Sequence, residues 1–156
     1  MALAHPTIRG RRYSRRDLQI TLILESGAEI FVDIGDVAYA GAPLEEGYVT
    51  AEGQIVGRTR GDLGAVEGSF QMSKQEFQVL VERLTTAEAG YKDSEFNALM
   101  SYSGPGLPTI VDTIENIRIM TDEDAPSVGP DPLWVAVGWK ALNVKRDGKD
   151  PIAGMV

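Results

Sequence analysis

The chain has 156 residues, a net charge of −8 and no cysteine. That length fits one domain with a sizeable core, and the missing cysteine excludes a disulfide framework and thiolate chemistry while being compatible with folding in a reducing cytoplasm. No apolar run approaches the roughly 20 residues of a membrane span, and the basic start lacks the apolar stretch of a signal peptide, so no membrane partner is expected.

The charge is unevenly placed. Residues 1–20 hold five arginines and one aspartate, a local +4, which leaves −12 for the remainder of the −8 total. An acidic body argues against a nucleic-acid reader, which normally shows a basic face. An acidic body with a basic arm fits self-association. Residues 1–16, without periodicity, read as that arm. It is either a solvated tail, a docking segment whose Arg9, Arg11, Arg12, Arg15 and Arg16 pair with carboxylates of a neighbouring subunit, or a phosphate-binding arm, which the acidic body disfavours.

Residues 17–156 read as a single β-rich domain. Asp17 to Glu25 alternates, with Leu18, Ile20, Leu22 and Leu24 on one face, the pattern of a half-buried strand. A turn at Ser26-Gly27 leads to a second strand, Ala28 to Tyr39, with Ile30, Val32 and Ile34 inward, so the pair reads as a hairpin. Gly35-Asp36 marks a bulge in it. After a loop at Ala40 to Gly47, Tyr48 to Arg58 alternates weakly and neither face is apolar enough for a core strand. Gln54 to Thr59 leads to a tip at Arg60-Gly61-Asp62-Leu63-Gly64, where Gly61 and Gly64 can supply positive φ, and Ala65 to Met72 returns with Val66 and Phe70 on one face. A long hairpin that is polar on both faces is either a mobile flap or a ribbon that pairs with something else, and its free backbone edges favour another chain. Arg58, Arg60 and Asp62 are then inter-subunit contact candidates near the tip, and Glu52 and Glu67 lie on the polar faces.

The chain passes directly into a helix. Ser73 and Glu76 form a capping box, Met72 can staple onto Phe77, and Phe77, Leu80, Val81 and Leu84 make one apolar stripe. The helix is expected from Lys74 to about Ala89 with Gly90 as its stop, followed by a short second helix capped by Asp93 and carrying Phe96, Leu99 and Met100. A loop at Ser103 to Pro108, a strand at Thr113 to Thr121 and an acidic loop at Asp122 to Pro132 come next. Leu133 to Lys145 is the strongest strand, and Asp147-Gly148 is a type I′ turn signal. The expected fold is mainly β (β or α+β): a twisted antiparallel β-sandwich or half-barrel with one main helix packed on it.

No catalytic set assembles from these residues. His5 lies beside Pro6 in the arm with nothing to fix its geometry. Asp122-Glu123-Asp124 begins like a calcium loop, but Ser127 stands where that loop needs glycine and Leu133 where it needs glutamate. Gly104-Pro-Gly106 lacks the third glycine of a dinucleotide loop, and Glu67-Gly68-Ser69 the second glycine of a nucleophile elbow. Neither enzyme activity, cofactor nor metal is therefore expected.

The run Val56-Gly-Arg-Thr-Arg-Gly-Asp-Leu-Gly-Ala-Val-Glu-Gly-Ser-Phe70 ahead of a helix resembles the tail tube proteins of tailed bacteriophages. The run from Trp139 to Pro151 resembles their closing strand and its turn. The resemblance implies a virion structural protein of the viral tail, assembled in the host cytoplasm. Strands of six subunits would join into a ring with a continuous inner β-barrel. Such rings stack into a tube that conducts the genome during ejection, with tape-measure and other tail proteins as partners and DNA passing without specific binding. Glu52 and Glu67 become lumen candidates, since acidic walls repel phosphates. The alternative is a β-sandwich module that binds a carbohydrate or a protein partner; rings or tubes under the microscope would separate the two.

Overall fold

The long strand β10, Ile110–Asp124, belongs to both walls of the molecule. Its buried residues run Asp112, Ile114, Ile117, Ile119, so the period-2 alternation slips by one residue at Glu115-Asn116. Asn116 takes φ +56, a conformation asparagine tolerates better than most residues. Its N–H donates to Asn97 Oδ1 at 2.9 Å and its side-chain amide to Glu95 Oε2 at 2.8 Å. This bulge bends the strand, as an extra residue in a ladder does. The part before it and the part after it take different partner strands, except that Ile117 still pairs with Phe96 of the first set.

The computed structural model describes residues 12–24, 27–30, 34–126, 128–130 and 133–152. In chain order the other strands are β1 (Leu18–Leu24), β2 (Gly27–Ile30), β3 (Ile34–Tyr39), β4 (Leu44–Glu45), β5 (Tyr48–Ala51), β6 (Gln54–Arg58), β7 (Asp62–Leu63), β8 (Val66–Ser73), β9 (Phe96–Tyr102), β11 (Trp134–Ala141) and β12 (Asn143–Lys145), with one helix, α1 (Lys74–Leu84). The main sheet runs β2-β1-β9-β10-β11-β8-β3, with β12 beside β10 and every pairing antiparallel. The sheet stays open. Its two ends, β2 and β3, are separated in the chain by residues 31–33 alone. Four residue steps span at most about 14 Å, so the sheet curls until its edges nearly meet.

Inward positions of all the main strands feed one core: Leu22 on β1, Met100 on β9, Ile119 on β10, Val137 and Trp139 on β11, Phe70 and Met72 on β8. Gly68 is required within it. A Cβ there would collide with the Trp139 ring and sit 2.7 Å from Ala38 O. α1 presses Phe77, Leu80 and Leu84 into the same core, the stripe read from the sequence. Ser73 caps it, its Oγ accepting from Glu76 N at 3.4 Å.

Several expectations change. Ala28 to Tyr39 is not one strand: β2 completes the hairpin with β1, while β3 crosses to the opposite edge and pairs with β8. The β3 ladder is irregular between Ile34 and Val37, where Gly35-Asp36 predicted a bulge. The inward positions Ile30, Val32 and Ile34, and the turn residue Ser26, lie outside the described side chains. The helix ends at Leu84 and not near Ala89, and Gly90 is not its stop. Thr85 O–H and N–H both donate to Val81 O, and Thr86 Oγ1 accepts from Ala89 N, local bonds that compete with further helix. The expected second helix is strand β9. Phe96, Ala98 and Met100 are buried at period 2, and pairing on both sides outweighs the short helical spacing of Phe96, Leu99 and Met100. β10 extends through Asp124 into the expected acidic loop, and Leu142 splits the last strand into β11 and β12.

Candidate assembly site

Residues 43–64 leave the body as a narrow ribbon. Gly64 N donates to Pro43 O at 2.8 Å at its root, β4 pairs with β7, Thr59 N donates to Gly47 O at 2.8 Å, and β5 pairs with β6. Glu52 and Gly53, with φ +52 and +79, form the turn that closes it, and two successive positive φ values suit a tight hairpin. The tip is therefore Glu52-Gly53, not Arg60 to Gly64. Glu-Gly is a weaker turn signal than Asp-Gly or Asn-Gly, which is why the sequence pointed to the later glycines. Gly61 does take φ +80, where a Cβ would meet Glu45 O at 2.7 Å; Gly64 is not among the positive-φ residues.

Every residue from Tyr48 to Arg60 is exposed. Register puts Tyr48, Thr50, Ile55 and Arg58 on one face and Val49, Ala51, Gln54 and Gly57 on the other, with a bulge at Val56. Tyr48, Val49, Ile55 and Val56 are 53–66% exposed. An isolated two-stranded hairpin is at best marginally stable in water, and burying each such apolar side chain would contribute about 1.5–3 kcal/mol. Arg58 makes a long 3.9 Å ion pair with Glu46, of the solvated kind that contributes little. Arg58 and Arg60 lie along the middle of the ribbon and Asp62 near its root, none of them at the tip.

In the body, at the end of β3, lies a polar cluster that sequence reading missed. Tyr39, the last residue of β3, donates its hydroxyl to Asp112 Oδ2 at 2.7 Å, and Tyr102 Oη lies 2.5 Å from the same hydroxyl. Arg146 Nη1 reaches Asp112 Oδ2 at 3.0 Å, Asp147 N donates to Oδ1 at 3.2 Å, and the Arg146 guanidinium stacks 5.0 Å from the Tyr39 ring centre. Asp112 is buried, so these donors replace the water it gives up. Burial first, then its bonds to Tyr102 and Asp112, push the Tyr39 phenol well above its ordinary range. The expected Asp147-Gly148 turn is present, with φ +50 and +77, and it aims Arg146 and Asp147 at this point. Alternation on β10 was the available signal: Asp112 falls on the inward side, two residues before Ile114.

The other predicted residues disperse. Glu52 is at the ribbon's turn. Glu67 is on the outer face of β8, part of the body and not of the ribbon, and pairs with Lys140 across the sheet at 3.5 Å. Around it that face carries small groups, Ala38, Ser69, Ala136 and Gly138. Arg12 and Arg16 are exposed, Arg15 starts a 3-10 turn over Arg15–Asp17, and Arg9 and Arg11 lie outside the described residues. The end of the arm is not featureless. Ser14 N donates to Asp17 Oδ2 at 2.8 Å, Tyr13 Oη to Pro108 O, and the Tyr13 ring meets Tyr102 edge to face at 6.2 Å. The acidic run on β10 is taken up by cations: Asp122 by Lys92 at 2.9 Å and Asp124 by Lys74 at 2.8 Å.

No protein-family model matches this chain, and no curated protein does. Solved structures do. A chain of the anti-feeding prophage tube-terminating cap superposes with a TM-score of 0.57 at 11% identity, covering 94% of this chain and 93% of that one. A chain of the anti-feeding prophage baseplate gives 0.54 at 9%, covering 92% and 97%. A chain of the sheath/tube terminator of an extracellular contractile injection system, PVC, gives 0.54 at 11%, covering 93% and 99%. At such identities the shared property is the fold, along nearly the whole of each chain.

Proposed function

We propose that this chain is a structural, non-catalytic protein of a tail-type particle: a tube-type subunit that joins copies of itself into hexameric rings, stacked around a channel that passes the genome. The ribbon carries this reading. Thirteen consecutive exposed residues, 48–60, form paired strands with apolar groups on both faces and no core of their own, an arrangement that needs a neighbour. The shared fold with chains of injection-system caps, baseplates and terminators supports it. The open edges of β2 and β3 offer ladders for ring closure. The outer face of β8 and β11, small at Ser69, Ala136 and Gly138, suits a channel wall, where Glu67 would stand beside Lys140.

Excision of Tyr48 to Arg58 tests the reading, because Gly47 and Thr59 are already hydrogen-bonded and can be joined by a short turn. The shortened chain should keep its melting temperature, since the ribbon stabilises nothing in the body, and should lose self-assembly in sedimentation and negative-stain images. Full-length protein that stays monomeric at all concentrations would sink the proposal and favour a β-sandwich binding module.

A further inference from the structure

The ribbon and a cleft occupy opposite ends of the same wall. β8 starts at Val66 beside the ribbon's root and ends at Ser73, about 23 Å away at strand spacing. At that far end Ser73, Lys74, Gln75 and Leu133 line an open cleft of about 260 Å³. Leu133 is half exposed there, and its carbonyl accepts from Lys74 N at 2.9 Å, so an apolar group and a cation sit side by side. The Lys74 ammonium has three donors and bonds Asp124. The ribbon's tip carries the complementary pair. Ile55 is exposed, and Glu52, the first residue of the turn, is three positions before it in the chain. Glu52 makes no ion pair among the described residues.

We propose that the ribbon tip of one copy seats in this cleft on a second copy, Ile55 against Leu133 and Glu52 against Lys74 at the start of α1. The inference rests on the self-assembly reading and adds its receiving surface. A plug at one end and a socket at the other make a heterologous contact, which propagates head to tail and does not close as a two-fold dimer. The glutamate would also meet the positive end of the helix.

The chain has no cysteine, so Ile55→Cys and Leu133→Cys can be introduced singly, the two proteins mixed, and crosslinked with a short bis-maleimide while sedimentation and negative stain monitor assembly. Circular dichroism checks that each exposed substitution leaves the fold intact. Covalent dimers between the two variants, confined to the assembled fraction, are expected. Glu52→Lys should raise the concentration needed for assembly about tenfold, and Lys74→Glu in the same chain should restore it. Assembly without the crosslink, or a Glu52→Lys defect that Lys74→Glu does not repair, overturns the socket while leaving the tube reading intact. Absence of assembly by the full-length chain overturns both.

Discussion

Tyr39 is the residue that ties the end of β3 to the rest of the body. It closes the β3 edge onto Asp112, with residues 40–42 between it and the ribbon. Tyr39→Phe keeps the ring under Arg146 and removes one hydrogen bond to a buried carboxylate, so urea unfolding should show a loss of about 1–2 kcal/mol. Asp112→Ala removes the acceptor of several donors at once and should cost about 3 kcal/mol, although Arg146 can turn back to water. The raised phenol gives a pH signature. Its stabilising contribution is complete below the ordinary tyrosine value of about 10 and is lost as pH rises past it, because the unfolded chain ionises first. Stability should fall above pH 10 more steeply in the native chain than in Tyr39→Phe.

Among the elements, α1 and the segment after it respond to different forces. Phe77 is buried in the core and edge-on to Tyr91 at 6.4 Å, so Phe77→Ala should cost about 3–5 kcal/mol in thermal melts. Ser73→Ala removes only the cap and should cost about 1 kcal/mol. The segment after the helix is tied to β10 electrostatically. The hydrogen bond from Lys92 holds the Asp122 carboxyl below its usual range, and Tyr91 Oη, 3.0 Å away, adds to this. A lowered carboxylate contributes above the unfolded value near 4 and loses that contribution as pH falls through its folded value. Hydrogen-exchange protection factors in residues 85–95 should fall below pH 4, and Asp122→Asn should show the lowered protection already at pH 7. Exposure of Lys92 keeps the global effect small.

For the whole molecule, charge sets the expectation. A net −8 gives phosphates little to bind. Filter binding of duplex DNA should be weak even at low salt, where phosphate contacts are strongest. Tight low-salt binding that disappears on truncating residues 1–16 would instead make the arginine-rich arm a nucleic-acid tail.

Local signals were enough for much of this chain. Alternation at Leu18 to Leu24, the Ser73 cap, the Phe77-Leu80-Leu84 stripe and the Asp147-Gly148 turn are all readable because each depends on residues within a few positions of one another. The weak apolar content of 48–58 likewise marked a segment that the core does not hold. Non-local pairing decided the rest. Residues 96–102 have a period that serves a helix or a strand over so short a run, and flanking ladders from β1 and β10 made it a strand. Ile30, Val32 and Ile34 continue the alternation of one strand, yet β8 claims the chain from Ile34 onward. The Tyr39, Tyr102, Asp112 and Arg146 cluster joins residues up to 107 positions apart. Only the curl of the sheet brings them together, because a buried carboxylate draws its donors from whichever strands the fold lays beside it.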